Sequence, residues 1–248
     1  MGGQSRRLPV VMSTSIEVDA SVTPLAPIDW IAVGKYKLAV GIEFALIAAS
    51  FRAVDALLTL PAAAVPPLFF FLSLRSRVFS PLDASRPDRS AQEGLPTPAE
   101  VVRPGWTPPG VAFPFIWLTI SFLRATSSLF VWQASGRQLC ATPLLLLVFH
   151  LCVGDAWNTI TNVERRLGTS ALGVLGVLAS VFAAIGAYYR TRPLAGLLLL
   201  PSAVWLSIAS VLTWSIWAIN TPRQPLWPRQ GDGKSSRLRL PLSQLGAA

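Results

Sequence analysis

Few residues in this chain could do chemistry, and most of those sit in apolar surroundings. Asp155, Asn158 and Asn162 fall at i, i+3 and i+7, so on a helix they share one face. A carboxylate placed there is costly unless it is paired or hydrated. Arg124, inside another apolar stretch, is the obvious partner, and Arg124–Asp155 is read as a structural polar pair. The face serves either as a polar wall of a ligand cavity or as a clamp between helices, and the residues alone leave both open.

Tryptophan is the other chemical resource, with nine in 248 residues. Trp30, Trp132 and Trp227 sit where an interfacial aromatic belt is expected. Trp106, Trp117, Trp157, Trp205, Trp214 and Trp217 lie in or beside apolar stretches. Several indoles facing the inside of one small bundle would make flat walls for a planar ligand; the competing reading is that they only pack helix on helix. His150 has no companions at ligand spacing, so no metal site is assigned. Cys140 and Cys152 lie about 18 Å apart along one helix and cannot pair with each other. No nucleophile–base constellation is present, so no catalytic residue is assigned.

The elements that must carry these groups are membrane helices. Hydrophobic residues make up 52% of the chain and charged residues 13%, against about 25% charged in a soluble domain. The net charge of +9 falls mainly between and beyond apolar stretches, which suits lipid headgroups better than nucleic acid. The fold class is therefore all-α, an integral membrane bundle of five transmembrane helices. The first span is centred on 56–74, with 38–54 as an amphipathic helix leading into it and two spans as the alternative. The others cover 111–133, 140–161, 170–189 and 194–219, joined by turns short enough to force antiparallel neighbours. Around this domain, 38–220, lie a polar N-terminal tail, 1–37, and a basic tail, 221–248, expected to be disordered. A Pro- and Arg-rich loop, 75–110, separates the first and second spans.

On five spans, seven Lys and Arg fall on the N-tail side (Arg6, Arg7, Lys35, Lys37, Arg137, Arg190 and Arg192) and twelve on the other. This bias places the C-terminus on the cytoplasmic face; a sixth crossing would move the N-tail across.

Two motifs carry a family resemblance. Residues 106–117, Trp-Thr-Pro-Pro-Gly-Val-Ala-Phe-Pro-Phe-Ile-Trp, resemble the W-x-P-P-x-x-x-F-x-x-x-W signature of the TspO/MBR family, the tryptophan-rich sensory and translocator proteins. Residues 200–212, beginning Leu200-Pro201-Ser202 and containing Trp205, look like its L-P-Y-x-x-W-x-x-x-A-x-x-L and run on to Trp217 and Asn220. The chain departs from the pattern at Ser202 and Thr213, where the family has Tyr and Asn, and it lacks the double Phe expected after Trp157. The resemblance implies a five-helix bundle, often a homodimer, that binds porphyrins such as protoporphyrin IX, haem or sterols, with no obligatory cofactor. The expected ligand-binding residues are then Trp106, Pro108, Pro109, Trp117, Asp155, Trp157, Asn158 and Trp205, with Trp106–Pro109 as a lid. An ion-coupled transporter, a non-binding membrane scaffold and a porphyrin-degrading enzyme are the rival functions.

Overall fold

The computed structural model describes residues 26–82 and 101–234, and within these the protein is helical throughout. Helix α1 spans Trp30–Leu57, α2 Val65–Arg75, α3 Ala112–Ala134, α4 Thr142–Asn158, α5 Leu167–Thr191 and α6 Pro193–Ile219. Short turns extend two of them: Ala62–Ala64 and Ser76–Phe79 flank α2, and a π turn, Thr159–Val163, prolongs α4. Five segments are long and apolar enough to cross a membrane: Ala62–Phe79, Ala112–Ala134, Thr142–Val163, Leu167–Thr191 and Pro193–Ile219.

Local sequence sets the ends of these helices. Prolines stand in the first turns of α2, α4 and α6, where the missing N–H costs nothing and the fixed φ suits a helix start. The Asp29 side chain accepts the Ala32 N–H at 2.9 Å and caps α1. Gly136 and Arg137, at φ 69° and 60°, take the left-handed conformation that lets α3 turn back into α4. The Asp55 carboxylate then accepts the Leu139 and Cys140 N–H groups, both at 2.9 Å, and locks that turn onto the end of α1.

The bundle winds so that α2 packs on α3, α3 on α6, α6 on α5 and α5 on α4, with α1 laid against α4. Small groups bring the helices close. Ser127 donates to the Ala195 carbonyl at 2.6 Å, Ser128 meets Tyr188 at 2.9 Å, and a Cβ on Gly196 would lie 2.7 Å from the Tyr189 backbone.

Helix α1 differs from the amphipathic lead-in expected over 38–54. It is 28 residues long, separate from α2, and runs the height of α4 in the opposite sense. Its Tyr36 reaches Glu164 beyond the end of α4, and its Asp55 reaches the start of α4. Lys35, Lys37, Glu43, Arg52 and Asp55 hide it from a hydropathy reading, yet its apolar positions Ile47 and Phe51 join the main core.

This changes the sidedness. Residues 27–30 pair with the C-terminal segment through Asp29 N–H to Pro228 O at 2.8 Å, Gln230 N–H to Pro27 O at 3.0 Å, and the Trp30–Trp227 ring contact. Lys35 and Lys37 therefore lie at the same end as the C-terminal segment, not at the opposite one. Arg137, Arg190 and Arg192 are left at the other end, with Arg52 near it, so the charge bias between the ends grows.

The C-terminal segment is also more ordered than its composition implied. Through Lys234 it folds back under the bundle: Gln224 accepts the Leu167 N–H at 2.8 Å, and Arg166 pairs with Asp232 at 3.0 Å. Its polar side chains and carbonyls satisfy buried groups at the helix ends, which composition cannot reveal. Residues 1–25, 83–100 and 235–248, which hold most of the N-tail, the middle of the long loop and the rest of the basic tail, lie outside the described residues.

A Cβ on Gly168 would sit 2.2 Å from the Pro225 carbonyl oxygen, a backbone atom that cannot yield cheaply. Gly168→Ala should therefore unseat the C-terminal segment, at a cost on the order of 1–3 kcal/mol. Limited proteolysis read by mass spectrometry should cut at 222–234 sooner in the variant than in the parent, with a lowered melting temperature. Equal protection of the two proteins would show that the segment is not held at this contact.

Candidate functional site

A cavity of about 220 Å³ opens between α2, α3, α4, α5 and α6. Its walls are indole, guanidinium, imidazole and carboxyl groups: Trp117 and Arg124 from α3, and His150, Asp155, Trp157 and Asn158 from α4. Ser73 and Ser76 close the α2 side, and Val177 and Leu206 supply apolar surface from α5 and α6. The helix pattern explains this gathering. Leu151, Asp155 and Asn158 repeat at four and three residues on α4, and Trp117 and Arg124 repeat at seven on α3, so each set faces one way.

Arg124 is 2% exposed, and its partner is His150, not Asp155: Nη2 lies 2.8 Å from His150 Nε2. Because a guanidinium has no acceptor, Nε2 must accept. The ring proton is then on Nδ1, 2.9 Å from Ser180 Oγ, and Ser180 in turn donates to the Val177 carbonyl at 2.8 Å. The imidazole is thus neutral and directed, Arg124 to His150 to Ser180 to backbone. Arg124 Nε has no acceptor among the described residues.

The expected Arg124–Asp155 pair does not form because Asp155 is engaged elsewhere. Ser76 donates to its carboxylate, and Glu43 of α1 is its neighbour. Beside it, Arg77 donates to Asn158 Oδ1 at 3.0 Å and to Thr159 at 3.3 Å. Sequence reading missed Glu43, Ser76 and the His150–Ser180 link. The signal for Glu43 was present, a lone carboxylate in an apolar stretch, but no spacing rule ties it to a residue on α4.

The other residues singled out from sequence lie elsewhere. Trp205 packs edge-on against Phe113, with ring centres 5.7 Å apart, and does not line the cavity. Trp106 is half exposed, and Pro108 and Pro109 build the turn that starts α3, with Ala112 N–H donating to Pro109 O at 2.9 Å. None of the three lines the cavity. Trp132, read as a belt residue, is 1% exposed and belongs to the core. Ser202, where Tyr was expected, is buried, and its hydroxyl has no partner among the described residues. Thr213, where Asn was expected, donates to the Ala209 carbonyl at 2.7 Å.

Trp157 has a second aspect. Its Nε1 donates to the Ser170 carbonyl at 3.0 Å, and a Cβ on Gly173 would come within 3.2 Å of its ring. Trp157 also lines an apolar groove of about 440 Å³ between α1, α4 and α5, together with Val40, Phe44, Phe149 and Val153. One indole therefore borders both spaces.

At the end of the bundle where the described termini meet, Tyr36 donates to Glu164, Glu164 pairs with Arg166 at 3.1 Å, and Arg166 pairs with Asp232. Glu164 and Arg166 are both 3% exposed. Burial holds the neighbouring Lys234 ammonium below its usual range. Among the described residues no group of three metal-ligating side chains converges.

A family model described as TspO/MBR family matches residues 82–218. Protein CrtK of Rhodobacter capsulatus is similar at 28% identity over 125 residues, 50% of this chain and 78% of the relative. The translocator protein of Sus scrofa is similar at 28% over 134 residues, 53% of this chain and 79% of the relative. The tryptophan-rich sensory protein of Cereibacter sphaeroides is similar at 25% over 121 residues, 49% of this chain and 75% of the relative.

The role of His150 can be separated from that of the charge it meets. His150→Leu strands the Arg124 guanidinium and should destabilise the fold by about 1–3 kcal/mol or more. Arg124→Met removes the charge together with its need and should be milder. Thermal melts of both variants in the same detergent decide: His150→Leu no worse than Arg124→Met would show that the imidazole does not hold the cation.

Proposed function

The chain belongs to the TspO/MBR family, and on that premise we propose that it is a membrane receptor or carrier for a planar anionic ligand, a tetrapyrrole such as protoporphyrin IX or haem. The observation that carries this reading is the buried Arg124 guanidinium, with an unpartnered Nε, in a cavity walled by two indoles. A buried cation without a carboxylate at contact distance favours a guest that brings one. Tetrapyrroles carry propionate carboxylates on a flat apolar ring, which suits a guanidinium between Trp117 and Trp157. A sterol offers the cavity a hydroxyl but no anion and fits it less well.

The cavity, about 220 Å³, is smaller than the ~300–1,000 Å³ usual for ligand pockets. Loading therefore moves a wall. Helix α2 is the wall that moves: it has 11 residues, is bounded by tight turns at both ends, and its span is the least buried of the five. The names of the relatives, translocator protein and tryptophan-rich sensory protein, fit a role in moving or sensing such a ligand. The end rich in Lys and Arg, which holds both described chain termini, is the cytoplasmic one.

Titration with protoporphyrin IX, read by tryptophan quenching in detergent, tests the cavity. Trp117→Phe and Trp157→Phe should each weaken binding roughly 5- to 150-fold, corresponding to about 1–3 kcal/mol for a lost stacking surface. Trp205→Phe should leave affinity unchanged. If the first two variants stay folded and bind like the parent, the tryptophans are packing residues.

Membrane orientation is tested by single cysteines at Gly136 and Gly231, with Cys140 and Cys152 replaced by Ala. A membrane-impermeant maleimide should label Gly231→Cys from the cytoplasmic face only and Gly136→Cys from the opposite face only. Labelling of both from one face would overturn the topology.

A further inference from the structure

The apolar groove beside α1 takes no part in the cavity chemistry. One of its walls is α1, which lies outside the family-matched residues, and the others are α4 and α5. Lys37, Gly41 and Phe44 repeat at four and three residues, so they face the groove together from α1. Glycines keep it open. A Cβ on Gly41 would meet nothing within 4 Å, and Gly173 thins the α5 wall.

The groove has a shallow end and a deep end. At the shallow end lie Lys37 and Ile160, the latter three residues before the α4 span ends at Val163. Tyr36, next to Lys37, packs in one cluster with Ile160. At the deep end the Phe44 and Phe149 rings meet edge-on, with centres 5.9 Å apart. Phe149 and Ile160 are eleven residues apart on α4, a rise of about 16 Å. One leaflet of a ~30 Å hydrocarbon core is about 15 Å deep. The groove therefore runs from the membrane face to mid-bilayer. Gly41 and Phe149, both exposed, open it sideways to lipid.

Polarity is graded along the same line. The Tyr36 hydroxyl donates to Glu164 and the Trp157 N–H to the Ser170 carbonyl, so neither offers the groove a free donor. Lys37, exposed at the mouth, has no hydrogen bond or ion pair among the described residues. A slot one leaflet deep, apolar along its length and cationic at its mouth, has the profile of a lipid chain below a phosphate. A zwitterionic head group sets its own ammonium against that phosphate, whereas an anionic head leaves the phosphate to the lysine. We propose that the groove holds one anionic phospholipid from the leaflet at the Lys37 end, with an acyl chain between α1, α4 and α5 and its phosphate on the Lys37 ammonium. The site is separate from the tetrapyrrole cavity and does not depend on that cavity being filled.

Native mass spectrometry of the full chain, delipidated in detergent and titrated with dioleoyl-phosphatidylglycerol, reads the site. The parent should bind one such lipid ahead of any others, and more tightly than dioleoyl-phosphatidylcholine. Lys37→Gln should weaken the anionic lipid about fivefold, the share of one lysine at a lipid surface, and erase the preference. Gly41→Trp fills the slot. Its Cβ meets no neighbour and tryptophan is a better helix former than glycine, so the fold is kept. The first lipid should then bind at least about tenfold more weakly, the worth of two buried methylenes. A phosphatidylglycerol with a diazirine near its chain end should cross-link to residues 44–48 and 146–153 in the parent and not in Gly41→Trp. Unsaturable uptake of both lipids alike, or a Gly41→Trp variant that binds and cross-links as the parent does, overturns the site. Parent dimers that retain no lipid and that Gly41→Trp separates would give the groove to a second copy of the chain and overturn it too. Should Gly41→Trp melt early, Lys37→Gln decides at an exposed position: an unchanged preference for the anionic lipid overturns the proposal.

Discussion

A polar group placed at bundle depth is costly unless another part of the protein answers it, because lipid does not. Arg124 makes the strongest demand. One guanidinium, 2% exposed, dictates the tautomer of His150, the orientation of Ser180 and the choice of Val177 O as the final acceptor. The same rule brings Ser76 and Glu43 to Asp155 and sends the Trp157 N–H to the Ser170 carbonyl. Packing among the leucines and valines fills the space between these contacts. The polar contacts decide which helix face meets which, since apolar side chains alone gain little from one rotation over another inside a membrane.

At the bundle end where both described termini meet, the rule is met by chain from outside the spans. The π turn after α4, with Arg165 at φ 53° beyond it, leaves Glu164 and Arg166 buried between helices. Tyr36 from α1 answers the first, and Asp232 with the Lys234 carbonyl answers the second. Neither residue 36 nor residue 232 belongs to the family-matched stretch, 82–218. The family-matched stretch is here braced by segments that lie outside it on both sides in sequence.

Sequence was a good guide where the signal is a long apolar run and a poor one where it depends on rotation about a helix axis. The four later spans were legible because each exceeds the length a bilayer needs and ends at Gly, Pro or Arg. The α1 helix was legible as a helix over 38–54 but not in its full extent, Trp30–Leu57, or its run along α4, because its five charged residues lower its hydropathy although Ile47 and Phe51 join the core. Trp117 and Trp157 stood out by type and sit on the cavity, while Trp205 stood out by type and faces Phe113. Residue type identifies a resource, but only helix register says where it points. Arg124 was matched to the wrong partner for the same reason: charge suggests Asp155, whereas geometry places His150 one turn deeper on the same helix. The order in residues 221–234 was illegible because it depends on distant carbonyls and on the missing side chain of Gly168.

The indole of Trp157 is a party wall. It borders both the polar cavity and the apolar groove beside α1, it is pinned by one N–H bond, and Gly173 leaves it barely the room it needs. A wall with two rooms cannot yield to one occupant without taking space from the other. A lipid chain or other apolar guest in the groove would thus press on the boundary of the polar chamber, and a flat guest in the chamber would press back. The two compartments share one ring, so an apolar chain lying in the groove would be felt by any guest in the cavity.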